Sequence, residues 1–443
     1  MFQALANIFK IPDLRKKVLY TLGMLVVYRL GAFIPTPGID SASLAQFFDN
    51  LAQKQGGNLF GIMNMFSGGA LARLTVFALG IMPYISSSII IQLLTTVVPY
   101  LEKLSKEGEM GRRTIIQYTR YGTIVLSIVQ ALFISIWLEN PAHFQGLQIV
   151  QFPGWGFRLL TILTLTTGCA FIMWLGEQIQ EFGIGNGISL IITIGIISRL
   201  PSALYQLGFY LQKGQMQPFI LLVLAVIMVA VIVAVILITQ GQRKIPVQYA
   251  RRIVGRRVYG GQSTYIPLRV NHAGVIPIIF AQSIILFPAT LAGLMPYPTL
   301  QALANSLSRG GILYLVFYSL LIVFFTYFYT AVTFNPIDVA ENMRKYGGFV
   351  PGIRPGKPTA EYFDFILTRI TLPGAVFLAV IAVFPELISA WLKVPGLVAS
   401  FFGGTGLLIV VGVILDTMRQ VESHLLMRHY EGFMKKGKLK GRR

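Results

Sequence analysis

Ten stretches of about twenty mostly apolar residues run through this chain of 443 residues, near 18–36, 74–98, 115–138, 157–177, 185–204, 218–239, 272–294, 312–334, 367–391 and 404–426. A helix rises about 1.5 Å per residue, so roughly 20 such residues cross the ~30 Å hydrocarbon layer of a bilayer. Backbone groups in lipid must satisfy one another, which makes each stretch an expected helix. Composition agrees: 54% of residues are apolar and 12% charged, against about a quarter charged in soluble domains. The stretch at 185–204 contains Gly185, Asn186, Gly187 and Gly195, which weaken helical preference but suit tight packing between membrane helices.

Charge placement orients the spans. Of 37 Lys and Arg, 29 fall on the side shared by the N-terminus and the even-numbered connections, seven fall on the other side, and Arg29 lies within the first span. Cytoplasmic connections carry the excess of basic residues, so the N-terminus is expected in the cytoplasm and an even span count returns the C-terminus there. Lys10, Arg15, Lys16 and Lys17 precede the first stretch with no small-residue cleavage pattern after it, the mark of a retained span. Five spans per half leave the halves oppositely oriented, which permits the inverted-repeat arrangement of many transport proteins. The expected organisation is a first five-span half over 1–204 that includes an apolar outer segment at 58–73, and a sixth span within 205–239. A basic connection at 240–271, the seventh and eighth spans within 272–334, a Gly- and Pro-rich connection at 335–366, the ninth and tenth spans within 367–426 and a basic tail at 427–443 follow. The single cysteine, Cys169, allows no internal disulfide and supports neither a thiol nor a metal site.

Two cytoplasmic connections are long and basic. The first carries Arg243, Lys244 and the pairs Arg251, Arg252 and Arg256, Arg257, with β-formers in 249–258 and 263–270 that suggest a hairpin. Positive-inside topology explains much of this charge, while paired arginines also suit contact with RNA phosphate or a carboxylate-rich partner. The second holds Gly347, Gly348, Pro351, Gly352, Pro355, Gly356 and Pro358 around Arg354, a density that favours a turn-rich tip. Arg354 either serves docking, or caps a carbonyl or snorkels to lipid headgroups. On the outer side, Asn58 to Arg73 is apolar and too short to cross. It is either a re-entrant segment, which needs a cavity to occupy, or a helix lying on the surface.

The spans hold few ionisable groups. Arg29, Glu177 and Glu386 lie near span ends, His272 at the start of its span, and Asp416 sits beside Arg419 as an expected local pair. An ion-coupled transporter needs ionisable groups near the midplane. The chain has no GxxxxGK[ST], no HExxH and no Ser, His, acid set on connected loops, so no hydrolytic or nucleotide chemistry is expected. Ile81 and Ile85, and Ile188 and Ile192, share helical faces by their spacing of four, as lipid-facing or packed isoleucines also do.

The string MNMFSGGALARLTVFALGIMPYISSSIIIQ from Met63 to Gln92 resembles the second-span region of the SecY-type protein-conducting channel family. GEQIQEFGIGNGIS from Gly176, AGVIPIIFAQSIILFP from Ala273, FNPIDVAENMRKYGGFVPGIRPG from Phe334 and GGTGLLIVVGVILD from Gly403 agree in order. The resemblance covers nearly the whole chain. It implies an all-α membrane protein of ten transmembrane helices, in two inverted five-helix halves around a central pore with a short re-entrant plug helix. It implies a pore ring of Ile81, Ile85, Ile188, Ile192, Ile279 and Ile409, and a plug containing Gly61, Ile62, Met63, Asn64, Met65, Phe66, Ser67, Gly68, Gly69 and Arg73. The second, third, seventh and eighth spans would line a lateral gate with Gln92, Gln130, Gln282 and Ser283 on or near it; Ser87 and Gln282 stand where many members carry small residues. Arg256, Arg257 and Arg354 match the family's docking residues for a translating ribosome and for the SecA motor ATPase, with Arg251 and Arg252 beside them. SecE-type and SecG-type subunits, signal sequences and the lipid bilayer complete the implied partners, with no cofactor and no catalytic activity. The implied location is the bacterial cytoplasmic membrane, or alternatively the plastid thylakoid.

Overall fold

Proline fixes where many of the helices begin, because it lacks the N–H that a first helical turn leaves unused. In the computed structural model, which describes residues 11–53, 64, 67–144, 149–214, 217–249, 252–254, 257–259, 263–294, 311–392, 398 and 404–436, the helices are α1 (Pro12–Gly31), α2 (Ser41–Gln53), α3 (Met82–Val97), α4 (Pro99–Lys106), α5 (Glu109–Glu139), α6 (Trp155–Phe182) and α7 (Gly187–Ile197). They continue with α8 (Leu200–Gln212), α9 (Pro218–Gln240), α10 (Ile276–Leu294), α11 (Ile312–Thr333), α12 (Pro336–Lys345), α13 (Lys357–Leu392) and α14 (Thr405–Lys436). Strands β1 (Gln242–Tyr249), β2 (Arg252–Val254), β3 (Arg257–Tyr259) and β4 (Ser263–Arg269) precede α10, and β5 (Gly348–Phe349) follows α12. Proline occupies the first or second position of α1, α3, α4, α8, α9 and α12.

Among the described residues, six helical runs are long and apolar enough to cross a membrane: α5, α6, α7 with α8, α9, α11 with α12, and most of α13. A seventh is the pair α3 and α4, bent by 99°. Helices α1, α10 and α14 cover the expected first, seventh and tenth spans.

Several boundaries differ from the hydropathy pattern. The expected span at 74–98 is helical only from Met82, and residues 67–81 run as successive turns in which Gly68, Gly69, Leu74 and Gly80 take positive φ, a region right-handed helices do not use. The expected span at 185–204 breaks at Ser198 and Arg199, where Pro201 removes a helical donor and clashes with the preceding turn. Helix α13 starts ten residues before the expected ninth span and α14 runs on to Lys436. Hydropathy marks the apolar length of a helix, and α13 begins before it, where Phe363 and Ile366 enter a buried core.

By internal contacts the chain forms two units, 1–213 with 283–311 and 409–443, and 214–282 with 312–408. In the first, α5 packs on α3 and α6, and α6 on α1 and α7. Glycine permits the last of these contacts: a Cβ at Gly187 would lie 1.9 Å from the Gly176 carbonyl oxygen. The turn before α7 is anchored twice, since the Ile184 N–H donates to Thr21 Oγ1 at 3.0 Å and the Gly185 N–H to Gln420 Oε1 at 2.9 Å. Leu14, Ile184 and Val421 form a small core beside it.

In the second unit α13 packs on α9, α11 and α12. Strand β1 pairs antiparallel with β4 from Gln242↔Arg269 to Gln248↔Ser263, and on its other edge with β5 through Gln248↔Phe349 and Tyr249↔Gly348. The two long connections therefore share one sheet. Beneath it Ile245, Val247, Leu268, Met343, Val350, Phe363, Ile366 and Leu367 form a buried core. A hairpin is present with other bounds than expected: its first strand starts at Gln242, 263–269 pairs with 242–248, and the expected strand at 249–258 folds on itself through Val254↔Arg257. The Gly- and Pro-rich connection also contains α12.

Candidate functional site

The isoleucines of the expected ring lie at helix ends and in helix interiors. Ile81 caps α3, Ile85 sits in its first turn, and both are buried. Asn186 caps α7 by accepting the Ser189 N–H at 3.2 Å, which sets the register of Ile188 and Ile192 on that helix. Ile192 is buried, whereas Ile188 is half-buried, its Cγ1 3.1 Å from the position a Cβ would take on Gly176. Ile409 is buried in α14. These five belong to the first unit and Ile279, buried in α10, to the second.

Gln130 of α5 and Gln282 of α10 are 5% and 2% exposed, and the Oε1 of each accepts no hydrogen bond among the described residues. An unpaired buried amide oxygen is costly, roughly 1–3 kcal/mol. Gln92 is half-buried on α3 and Ser283 is buried. Ser87 ties α3 to α5: its hydroxyl donates to the Thr119 carbonyl at 2.8 Å and fits against Gly122, where a Cβ would approach it to 2.4 Å.

Of the expected plug, Gly61, Ile62, Met63, Met65 and Phe66 lie outside the described residues. The remainder forms a hydrogen-bonded turn. Asn64 accepts the Gly69 N–H at 2.8 Å through its carbonyl and the Ala72 N–H at 3.0 Å through Oδ1. Ser67 Oγ accepts the Leu71 N–H at 3.2 Å. Gly68 sits so close to α7 that a Cβ would meet Gly195 Cα at 3.0 Å. Arg73 is exposed, its guanidinium 5.5 Å from the Phe33 ring.

Among the docking arginines, Arg251 and Arg256 lie outside the described residues, while Arg252 pairs with Tyr259 and Arg257 with Val254 in the β2–β3 ribbon. Arg354 is exposed at the tip between β5 and α13, and its backbone is held by Thr359 Oγ1, which donates to the Arg354 carbonyl at 2.8 Å. Its side chain caps no carbonyl among the described residues.

Two features escape sequence reasoning. Arg120 on α5 makes a bidentate pair with Glu177 on α6, both contacts 2.8 Å; the signal was present, as two opposite charges at the same end of neighbouring spans. The shared sheet of the two basic connections had no such signal. The local pair Asp416 and Arg419 is present at 3.7 Å.

A profile of the SecY family matches residues 75–418. The protein translocase subunit SecY of Escherichia coli K12 is 50% identical over 433 residues, covering 97% of this chain and 96% of that protein. That of Thermus thermophilus is 48% identical over the full length of both. Among solved structures, one described as a protein conducting channel superposes with a TM-score of 0.66 at 18% identity over 92% of each chain. Sec61 from a canine ribosome–channel complex superposes with 0.62 at 17% identity, also over 92% of each. At those identities the structures establish the fold.

Proposed function

This chain belongs to the SecY family, and from that premise we propose that it is the pore subunit of a Sec-type translocase, conducting unfolded secretory polypeptides and releasing apolar segments into lipid through a lateral gate. It is a membrane protein of bacteria and a channel, not an enzyme. The observation that carries the reading is the 50% identity to a protein translocase subunit across 97% of the chain.

The residues present suit the task. Aliphatic side chains offer no fixed polar ligand, so they part around any polypeptide sequence, while a closed apolar constriction excludes water and resists ion leakage. Ile81, Ile85, Ile188, Ile192, Ile279 and Ile409 are assigned that role, and residues 58–73 the role of the plug. Gln130 and Gln282, whose Oε1 atoms accept no hydrogen bond among the described residues, are assigned with Gln92 and Ser283 to the lateral gate between the second, third, seventh and eighth spans, through which an apolar signal would pass. Driving energy comes from a partner. The body built from both basic connections, with Arg354 at its tip and Arg252 and Arg257 on the β2–β3 ribbon, would receive a SecA-type motor or a translating ribosome, with Arg251 and Arg256 assigned to the same docking role. A structural relative is itself part of a ribosome–channel complex. SecE-type and SecG-type subunits would be the membrane partners, and the basic excess on one side supports a cytoplasmic location for both termini.

A photo-crosslinking residue at Ile192, with Val229 on the exposed face of α9 as control, tests the path. An arrested secretory precursor is expected to form an adduct at Ile192 and not at Val229. A precursor that is demonstrably engaged yet gives no adduct at Ile192 contradicts the pore assignment.

A further inference from the structure

The chain after α1 and the turns before α3 are bound together at their base. The Thr36 N–H donates to the Leu74 carbonyl at 3.0 Å and the Val76 N–H to the Ile34 carbonyl at 2.9 Å, around an antiparallel bridge between Pro35 and Thr75. Phe77 stacks on Tyr28 of α1 at 5.9 Å and closes against Gly31, where a Cβ would fall 2.1 Å from its ring. Residues 74–77 are thus a fixed root. Gly68 and Gly69, with φ of +66° and +91°, follow one another in the left-handed region, a conformation that glycine holds without steric cost.

One long side chain reaches from α1 to that glycine pair. Arg29 Nη1 donates to the Gly68 carbonyl at 3.4 Å, and its guanidinium lies 5.4 Å from the ring of Phe33, which also receives Arg73. Among the described residues neither arginine is paired with a carboxylate. A planar guanidinium can lie near an aromatic ring while its edge donates to a carbonyl, a combination that an ammonium reproduces poorly. An arginine near a span end is free to turn toward the interface, and here it is directed at a single backbone oxygen.

We infer that Arg29 is a positioning residue of the seal, a latch from α1 that holds the Gly68–Gly69 turn in the closed arrangement and lets go when the channel opens. The inference rests on the plug assignment above. The root persists through opening because its links are backbone pairs and ring packing. The latch is one hydrogen bond, weak enough to be broken by an entering chain.

The test measures resting ion conductance of the assembled translocase in planar bilayers. Arg29→Gln is expected to raise the leak roughly three- to tenfold, the range that loss of one hydrogen bond supports, and deletion of Gly61 to Gly69 to raise it further. Combining both is expected to give no more than the deletion alone, because a latch without its turn has nothing to hold. Wild-type leak in Arg29→Gln beside a leaky deletion overturns the latch, as does an increase that adds to the deletion's. Unchanged conductance in the deletion itself overturns the plug assignment instead. If Arg29→Gln does not assemble, Phe33→Leu, which keeps the arginine and removes its ring, must show the same non-additive leak.

Discussion

The outer connection between the first two spans and the cytoplasmic body built from β1–β5, α12 and the start of α13 are both insertions between membrane helices, and they are held together by different physics. The cytoplasmic body has a three-stranded sheet over eight buried apolar side chains. In the outer connection the turn at Gly68 and Gly69 is tied by single hydrogen bonds that involve Asn64, Ser67 and Arg29, beside a root where Leu71, Leu74, Phe77 and Leu79 are buried. Cores resist partial opening, whereas regions held by few discrete bonds open locally at low cost. A surface that transmits force from a partner gains from the first construction, and a seal that must yield to each substrate gains from the second.

The sharpest way to break this contrast is Phe363→Ala. Phe363 is fully buried at the centre of the cytoplasmic core, and its truncation is expected to cost about 3–5 kcal/mol there. Amide hydrogen exchange is expected to accelerate together in 242–269 and 343–350, with α5 and α6 unaffected. Loss of protection in only one of the two connections would show that they do not act as one body.

Next in size is Gly68→Ala. A side chain there must take a φ of +66° and meet Gly195 Cα at 3.0 Å, which together cost roughly 1–2 kcal/mol. The expected outcome is a leakier resting channel with unchanged cytoplasmic protection. A channel as tight as wild type would mean that the turn tolerates displacement without loosening the seal.

What the sequence made legible follows the same division. Nearly every span was visible because lipid demands long apolar runs, and the i, i+3 spacing of Asp416 and Arg419 was enough to foresee their pairing. The hairpin was foreseen from its β-formers but its start was not, because Arg243 and Lys244 sit where the strand is exposed. Strand β5 has two residues in a Gly-rich segment, about a hundred residues from its partner; no local pattern encodes such a pairing. At 74–81 apolar residues suggested helix, yet Leu74, Phe77 and Leu79 are buried in turns, since burial in protein and burial in lipid leave the same composition. The isoleucines were assignable only through family resemblance, because spacing by four is equally the mark of ordinary packing.

A third variant separates the body's stability from its use. Arg354→Glu changes an exposed side chain that donates to no described group, so stability should move by no more than about 0.5 kcal/mol. Binding of motor or ribosome is expected to weaken, with a shallower salt dependence, because one phosphate or carboxylate contact is lost. Full affinity with the wild-type salt slope would remove Arg354 from the docking surface.

The smallest expected effect concerns acid. Asp40 caps α2, its carboxylate accepting Ser43 Oγ at 2.6 Å and the N–H groups of Ala42 and Ser43 at 3.1 and 3.3 Å. The Ser43 hydroxyl bond first, and then the two amides, hold its pKa below the ordinary carboxylate value. A depressed carboxylate contributes stability that is fully present above the unfolded value of about 3.9 and is lost as pH falls through the folded one. Protection of the Ala42 and Ser43 amides is therefore expected to persist at pH 5 and to decline below about pH 4, while the apolar core of the cytoplasmic body keeps its protection across that range. Asp40→Asn retains a capping side chain and is expected to abolish the acid dependence with little change at neutral pH. If the decline survives in Asp40→Asn, another group controls the outer helix, and the outer connection has an anchor besides this cap.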